Sequence, residues 1–452
     1  MFSDYLATLT GWVWNYPVVI LCFGAALFFS FYQLNFIQFR CFKHAIDLVR
    51  GKYDNPNELG HISHFQALSA ALSGTIGLGN IAGVAIAINM GGPGAVFWMI
   101  LMGIFAMATK YVECALGTIY RDVNKETKEV KGGPMYYITK GLNNKFLAML
   151  YAFFAIFGAL GAGNMFQSNQ SASALATYYA VPEWLTGLVL SGLVGFVILG
   201  GIKRIGQVAG RIVPLMCVIY VCGAVLICLL NITKLPEVFH IIITDAFSGN
   251  AVAGGSLGTV IIWGIRRAVF SNEAGMGSAS IAHAAVKTDY PIREGIVASL
   301  GPLIDTVIVC SATAITIILS GLYGANAGDL SGIALTIAAF DSFFHGFGSI
   351  FISISVCLFA FSTMITWSYY GEIASSYIFG KKAILPFKLI FCLLIFYGAI
   401  NSLNNVLNFS DLAIGLMVVP NMIAILLLSK EIKQKTKSYF EALYAGKIKA
   451  FK

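Results

Sequence analysis

The sequence predicts an all-α polytopic membrane protein of about eleven transmembrane helices. They are expected to form a five-plus-five inverted repeat with two broken helices, behind one extra N-terminal helix. Three observations carry this expectation. The composition is too apolar for a soluble surface, the cationic residues crowd alternate loops, and two apolar runs five apart are interrupted by glycine.

Of 452 residues, 58% are hydrophobic and 11% charged, with a mean hydropathy of +0.79. A globular chain carries about a quarter charged residues. At roughly 20 apolar residues per span, about ten to twelve helices fit. Disorder, a secreted disulfide scaffold and a nucleic-acid binder are excluded together. The nine cysteines are scattered without a C-x-x-C pair, and the six histidines show no i, i+4 pair flanking a carboxylate. Zinc and redox sites need such clustering, so the cysteines read as small apolar packing residues.

The apolar runs fall at about 15–37, 65–90, 93–119, 146–177, 183–200, 207–231, 253–285, 294–321, 347–379, 384–401 and 405–429. The first, from Tyr16 to about Phe36, is too long for a cleavable signal and is kept as a helix. Residues 1–60 form this extra helix and a cytoplasmic loop. Residues 61–232 form the first five-helix repeat, 233–430 the second, and 431–452 a basic cytoplasmic tail.

Lys and Arg accumulate in cytoplasmic loops. Here they occupy one alternate set: Arg40, Lys43, Arg50 and Lys52; then Arg121, Lys125, Lys128, Lys131, Lys140 and Lys145. Lys203, Arg204 and Arg211 follow, then Lys287 and Arg293, then Lys381 and Lys382, before the lysine-rich tail. The opposite loops contain a single cation, Lys234. This asymmetry requires an odd number of spans, with the N-terminus outside and the C-terminus cytoplasmic. The formal net charge of +8 is then mostly positive-inside bias facing anionic lipid.

The second run carries Ser73-Gly74-Thr75-Ile76-Gly77-Leu78-Gly79-Asn80 at its middle, and the seventh carries Phe270-Ser271-Asn272-Glu273-Ala274-Gly275-Met276-Gly277. Glycine costs about 1 kcal/mol against alanine in a helix, and irregular backbone survives at membrane depth only where it lines a cavity or is buried in protein. Two broken helices in corresponding positions of oppositely oriented halves are the signature of a secondary transporter. A half-helix N-terminus at Gly77–Asn80 suits a substrate carboxylate, and carbonyls freed on the other side of the break suit a hard cation. Small residues there also suit close helix packing.

Glu273 is expensive at membrane depth, and Arg267 is near enough along the chain to form a gating or structural pair with it. Lys110 and Glu113, three apart, read as a helix-surface pair. Asp305 and Asp411 are single carboxylates near span interiors or ends. In the ninth run Ser362, Thr363 and Thr366 share a helix face, with Trp367 four residues past Thr363. Facing lipid they would bond back to their own helix; facing a cavity they would ligate a cation and supply an aromatic wall. Asn164 and Gln167, three apart in the fourth run, form a polar stripe turned inward.

Several motifs then stand in order: Ile62-Ser63-His64-Phe65-Gln66-Ala67-Leu68, the Thr75–Gly83 break, Gly91-Gly92-Pro93-Gly94-Ala95 and Gly132-Gly133-Pro134-Met135-Tyr136-Tyr137. Phe270-Ser271-Asn272-Glu273-Ala274-Gly275 and Trp367-Ser368-Tyr369-Tyr370-Gly371 follow. From about residue 10 to 430 the chain resembles the alanine or glycine:cation symporter family. The resemblance implies the inverted-repeat fold of the leucine-transporter type and sodium-coupled uptake of small neutral amino acids. It implies substrate contacts at Thr75, Gly77, Leu78, Gly79, Gln167, Phe270, Ala274, Thr363 and Trp367. It implies sodium contacts at the backbone of Ser73 and Ile76 and the hydroxyls of Ser362 and Thr363. The candidate substrate set also takes in Asn164 and Gly275, and the candidate sodium set Asn80. Leu78, where family members often carry Thr, lacks a hydroxyl at the break, and Ala268 stands where Gly commonly follows the Arg.

The expected function is sodium-coupled import of alanine or glycine by alternating access, in the cytoplasmic membrane of a prokaryote. Sodium is the coupling ion and no other cofactor is expected. The partners are a small neutral amino acid, sodium and the lipid bilayer. The alternatives are a proton-coupled carrier of the same fold, with Glu273 or Asp305 titrating, and a membrane-embedded enzyme. The second would need a catalytic constellation that the six histidines do not supply.

Overall fold

A computed structural model describes residues 2–55, 57–124, 129–248 and 257–451. Each of the eleven apolar runs coincides with helix. The opening residues 253–256 of the seventh run, with Lys125 and Lys128, lie outside the described residues. Among the described residues seven helices are long and apolar enough to cross a membrane. The pair His64–Thr75 and Gly79–Gly91, bent by 54° at its break, makes an eighth span. Shorter apolar helices include Val19–Gln33 and Glu183–Ile198.

The architecture is all-α, with one two-stranded hairpin that pairs Asp122 with Lys131 and Val123 with Val130. Connections that the sequence reading left as loops contain helices of their own, Leu235–Ser248 and Gly332–Asp341. The basic tail is a helix, Ser429–Tyr444, that buries Ile432 and Tyr439. Large apolar side chains such as Leu188, Phe196, Leu215 and Leu229 stay exposed, an outer surface suited to lipid rather than water.

Ser63 starts the first broken helix with a reciprocal cap. Its hydroxyl accepts the Gln66 N–H at 3.2 Å, and the Gln66 side chain accepts the Ser63 N–H at 3.1 Å. The helix Ala95–Ile119 packs along the second broken helix and along Pro291–Ser320, and Phe347–Phe379 packs along Lys145–Tyr179. Phe347–Phe379 also packs along His64–Thr75, so both broken helices are held against neighbouring helices.

At one end of the bundle a strap joins the two broken helices. Glu294 receives His64 Nδ1 on one carboxylate oxygen and His283 Nδ1, at 2.5 Å, on the other. Ile62 and Val286 form a parallel bridge. Arg121 donates to the carbonyls of Leu59, Ala284, Val286 and Thr288.

Candidate functional site

The first helix stops at Thr75, where Ile76 turns extended (φ −77°, ψ 90°), and resumes at Gly79. The amides freed there find side-chain acceptors: Gly77 N–H donates to Asn80 Oδ1 at 2.9 Å and Leu78 N–H to Gln167 Oε1 at 3.0 Å. The glycines make room. A Cβ on Gly79 would sit 3.2 Å from the Phe270 ring and 3.4 Å from Ser271 Cα, so a side chain there crowds the second broken helix.

That second helix runs Leu257–Asn272 and restarts at Ala279–His283. Between them Glu273, Gly275 and Gly277 all take positive φ, at 56°, 101° and 75°. Asn272 Oδ1 accepts the Ala274 N–H at 2.9 Å. From behind, Glu113 Oε1 accepts the N–H groups of Gly275 (2.8 Å) and Gly277 (3.1 Å) and the Asn421 amide (2.7 Å). Lys110 and Glu113 are both buried. They are not the helix-surface pair that their spacing suggested, because this helix is covered on the side that carries them.

The breaks meet at a narrow cavity. Gly74, Thr75, Gly77 and Gly79 line it from the first broken helix, and Phe270 and Glu273 from the second. Ala162 and Gln167 line it from Lys145–Tyr179, Thr363 and Trp367 from Phe347–Phe379, and Ile414 from Leu403–Leu427. Its free space is about 240 Å³, so constricted that the centre of a water molecule has only about 10 Å³ to occupy.

Of the expected substrate residues, Thr75, Gly77, Gly79, Gln167, Phe270, Thr363 and Trp367 line this cavity. Leu78 joins through its N–H to Gln167. Ala274 and Gly275 are bound instead to Asn272 and Glu113. Asn164 donates to the Phe391 carbonyl at 2.6 Å, so it fastens two helices together rather than facing the cavity. Gly74, Ala162, Glu273 and Ile414 line it without having been expected in the substrate set. Gln167 Nε2 donates to the Ala162 carbonyl at 2.8 Å, a contact that no sequence signal marked. No sequence signal marked Ile414.

The expected sodium residues divide. Ser73 Oγ donates to the Ser362 carbonyl at 2.6 Å, and Thr363 Oγ1 lies 3.4 Å from the Ile76 carbonyl. These four residues therefore bring oxygens together from two helices, but the Ser362 hydroxyl expected to meet sodium bonds back to the Phe359 carbonyl at 2.9 Å, leaving the Ser362 carbonyl to face Ser73. Asn80 is engaged elsewhere: its amide nitrogen donates to Asp305 Oδ1 at 2.7 Å and its oxygen accepts from Gly77.

The expected Arg267–Glu273 pair does not form. Arg266 and Arg267 both reach Asp411 Oδ2, the former at 2.5 Å. Glu273 bonds Ser278 Oγ and, at 2.8 Å, Trp367 Nε1. The physical reason is helical periodicity: six residues amount to one and two-thirds turns, and the left-handed backbone at Glu273 turns it further away. The Arg267 guanidinium lies 4.9 Å over the Phe270 ring, so the Asp411 clasp borders the cavity.

The model of the sodium:alanine symporter family matches residues 1–452. The chain belongs to that family. Its members are transporters, not enzymes. The chain is 42% identical over 445 residues to the sodium/alanine symporter AgcS of Methanococcus maripaludis, covering 97% of this chain and 98% of the relative. It is 38% identical over 453 residues to a putative sodium/proton-dependent alanine carrier protein, YrbD, of Bacillus subtilis, covering 97% and 92%. A crystal structure of MhsT in complex with L-phenylalanine matches with a TM-score of 0.61 at 16% identity, covering 82% of this chain and 89% of that one. That likeness concerns the fold, which is of the leucine-transporter type. In this family member, then, two broken helices enclose a cavity bordered by a cluster of hydroxyl and carbonyl oxygens.

Proposed function

We propose that this symporter imports alanine, and with it glycine, in exchange for the free energy of sodium entry. The observation that carries the reading is the placement of Thr363. The residue lines the cavity, and its hydroxyl also belongs to the Ser73–Ile76–Ser362–Thr363 oxygen cluster. One side chain thus links an amino-acid site to a hard-cation site that prefers oxygen ligands. In this reading the substrate carboxylate approaches the N–H groups at Gly77–Gly79, and Phe270 and Trp367 limit the side chain to about a methyl group. A sodium ion entering down 100 mV releases about 2.3 kcal/mol from voltage alone.

The cationic loops support an N-terminus outside and a C-terminus inside, in the cytoplasmic membrane of a prokaryote. Residues 61–232 and 233–430 are then the two inverted repeats behind the extra helix of 1–60. Uptake of labelled alanine into proteoliposomes, with and without a sodium gradient and against a panel of amino acids, tests the reading. Uptake that ignores sodium would overturn it.

A proton-coupled reading has one observation in its favour. Asp305 is fully buried and, among the described residues, bonded only to neutral donors, the Asn80 amide and the hydroxyls of Ser271 and Thr306. Replacing sodium by choline across a pH series separates the two: sodium coupling loses uptake at every pH, and proton coupling retains it under an inward proton gradient.

A further inference from the structure

We infer that Glu273 is the acceptor for the substrate's ammonium group, and hence the residue that selects amino acids over other small carboxylates. The inference rests on the amino-acid transport reading above and adds to it the group that reads the positive end of the zwitterion.

The buried carboxylates of the bundle fall into two groups, those bonded to cations and those bonded to neutral donors, as Asp305 is. Asp411 holds two arginines and Glu294 two histidines. Glu113 accepts two backbone N–H groups and an amide. Glu273 resembles Glu113 and Asp305 in having neutral donors and differs from them in its place. Among the described residues it is the one ionisable side chain lining the central cavity. Both its hydrogen bonds come from neutral donors, Trp367 Nε1 and Ser278 Oγ. No Lys, Arg or His nitrogen among the described residues comes within 4.0 Å of it. Lys110, buried on the neighbouring helix and without a hydrogen bond among the described residues, is near enough to favour the carboxylate's charge but does not touch it.

A buried anion without a cation beside it is costly. So is a non-glycine residue with φ of +56°. The surroundings nevertheless enforce this placement: Glu273 N–H donates to Val269 O at 2.9 Å, and its carbonyl accepts Met276 N–H at 3.2 Å. A zwitterion in the cavity brings a cation into direct contact with it. Its carboxylate lies toward the Gly77–Gly79 amides and its ammonium meets Glu273 across the pocket. Trp367 Nε1 lies between Glu273 and the Gly74 carbonyl, 3.2 Å away, so the carboxylate also fixes the aromatic wall. A charge-assisted bond of this kind is stronger than a neutral one, and a site built around it rejects an analogue that lacks the charged group.

Glu273→Gln keeps the shape and an oxygen for the Trp367 N–H but removes the charge. In sodium-driven uptake by proteoliposomes, the half-saturating alanine concentration should rise about 10- to 100-fold. The preference for alanine over lactate and propionate, measured by competition, should fall by a similar factor. Glu273→Asp, which retains the charge, should keep that preference even if its affinity drops, and it serves as the test if the Gln variant does not fold. An unchanged alanine affinity in Glu273→Gln overturns the inference. A weakened affinity with unchanged discrimination overturns it too, because the carboxylate would then act only through Trp367. So does a shift confined to sodium dependence. Wild-type protein that takes up no alanine sinks the transport reading instead. Thermal protection of wild type and Glu273→Gln by glycine against glycolate then tests the carboxylate separately.

Discussion

The two broken helices are interrupted by different means. At the first break no residue from Ile76 to Gly79 has positive φ; glycine is needed there for space, because Gln167, Thr363 and Phe270 close in on the backbone. At the second break Gly275 and Gly277 are needed for conformation, at φ 101° and 75°. The acceptors differ as well. Asn80 and the cavity-lining Gln167 serve the first break with neutral oxygens, whereas Glu113 serves the second from behind with a carboxylate. One break is arranged to meet a ligand, and the other to be held while its partner does so.

If that contrast is right, crowding the first break destroys binding while the fold survives. Gly79→Val should abolish alanine uptake with normal insertion in the membrane, since its side chain collides with Phe270. Normal uptake would remove the first break from the site. Damage behind the second break should appear as lost stability. Glu113→Ala leaves two backbone N–H groups and an amide without their acceptor, which costs of order 3 kcal/mol. Its thermal midpoint in detergent should fall well below that of Glu113→Gln, which keeps an oxygen; equal midpoints would mean that Glu113 does not hold the break.

A smaller effect is expected where the two functions meet. Thr363→Val should raise the sodium concentration for half-maximal uptake about tenfold, the worth of one lost oxygen contact. Unchanged sodium dependence would return the hydroxyl to a packing role. The gentlest change concerns the wall. Phe270→Ala should let valine compete for alanine uptake several-fold better while alanine affinity falls less, because overlap rather than lost attraction excludes large side chains. A variant still active on alanine that excludes valine as before would show that this ring does not bound the pocket.

Much of this was legible in the sequence because membrane physics simplifies the reading. Apolar runs marked the helices, and dense glycine at Gly74–Gly83 and Gly275–Gly277 located both breaks. What escaped it depended on faces and on distant partners. Lys110 and Glu113 have the spacing of a surface pair, and only packing shows that their face is covered. Arg267 had Glu273 six residues away, yet its partner Asp411 lies 144 residues along the chain. Asn164 and Gln167 share a helix, but one bonds a neighbouring carbonyl while the other reaches the break. Hydropathy reports how deep a residue sits, not which neighbour it faces.

The strap around Glu294 has a mechanical consequence. The start of one broken helix, the end of the other and the helix that follows are fastened through a single carboxylate, and Arg121 pins the adjoining chain at four carbonyls. No single bond in such a fastening acts as a latch. The ends of these helices are damped together, and parting them takes a cooperative release of many modest bonds rather than the yielding of one.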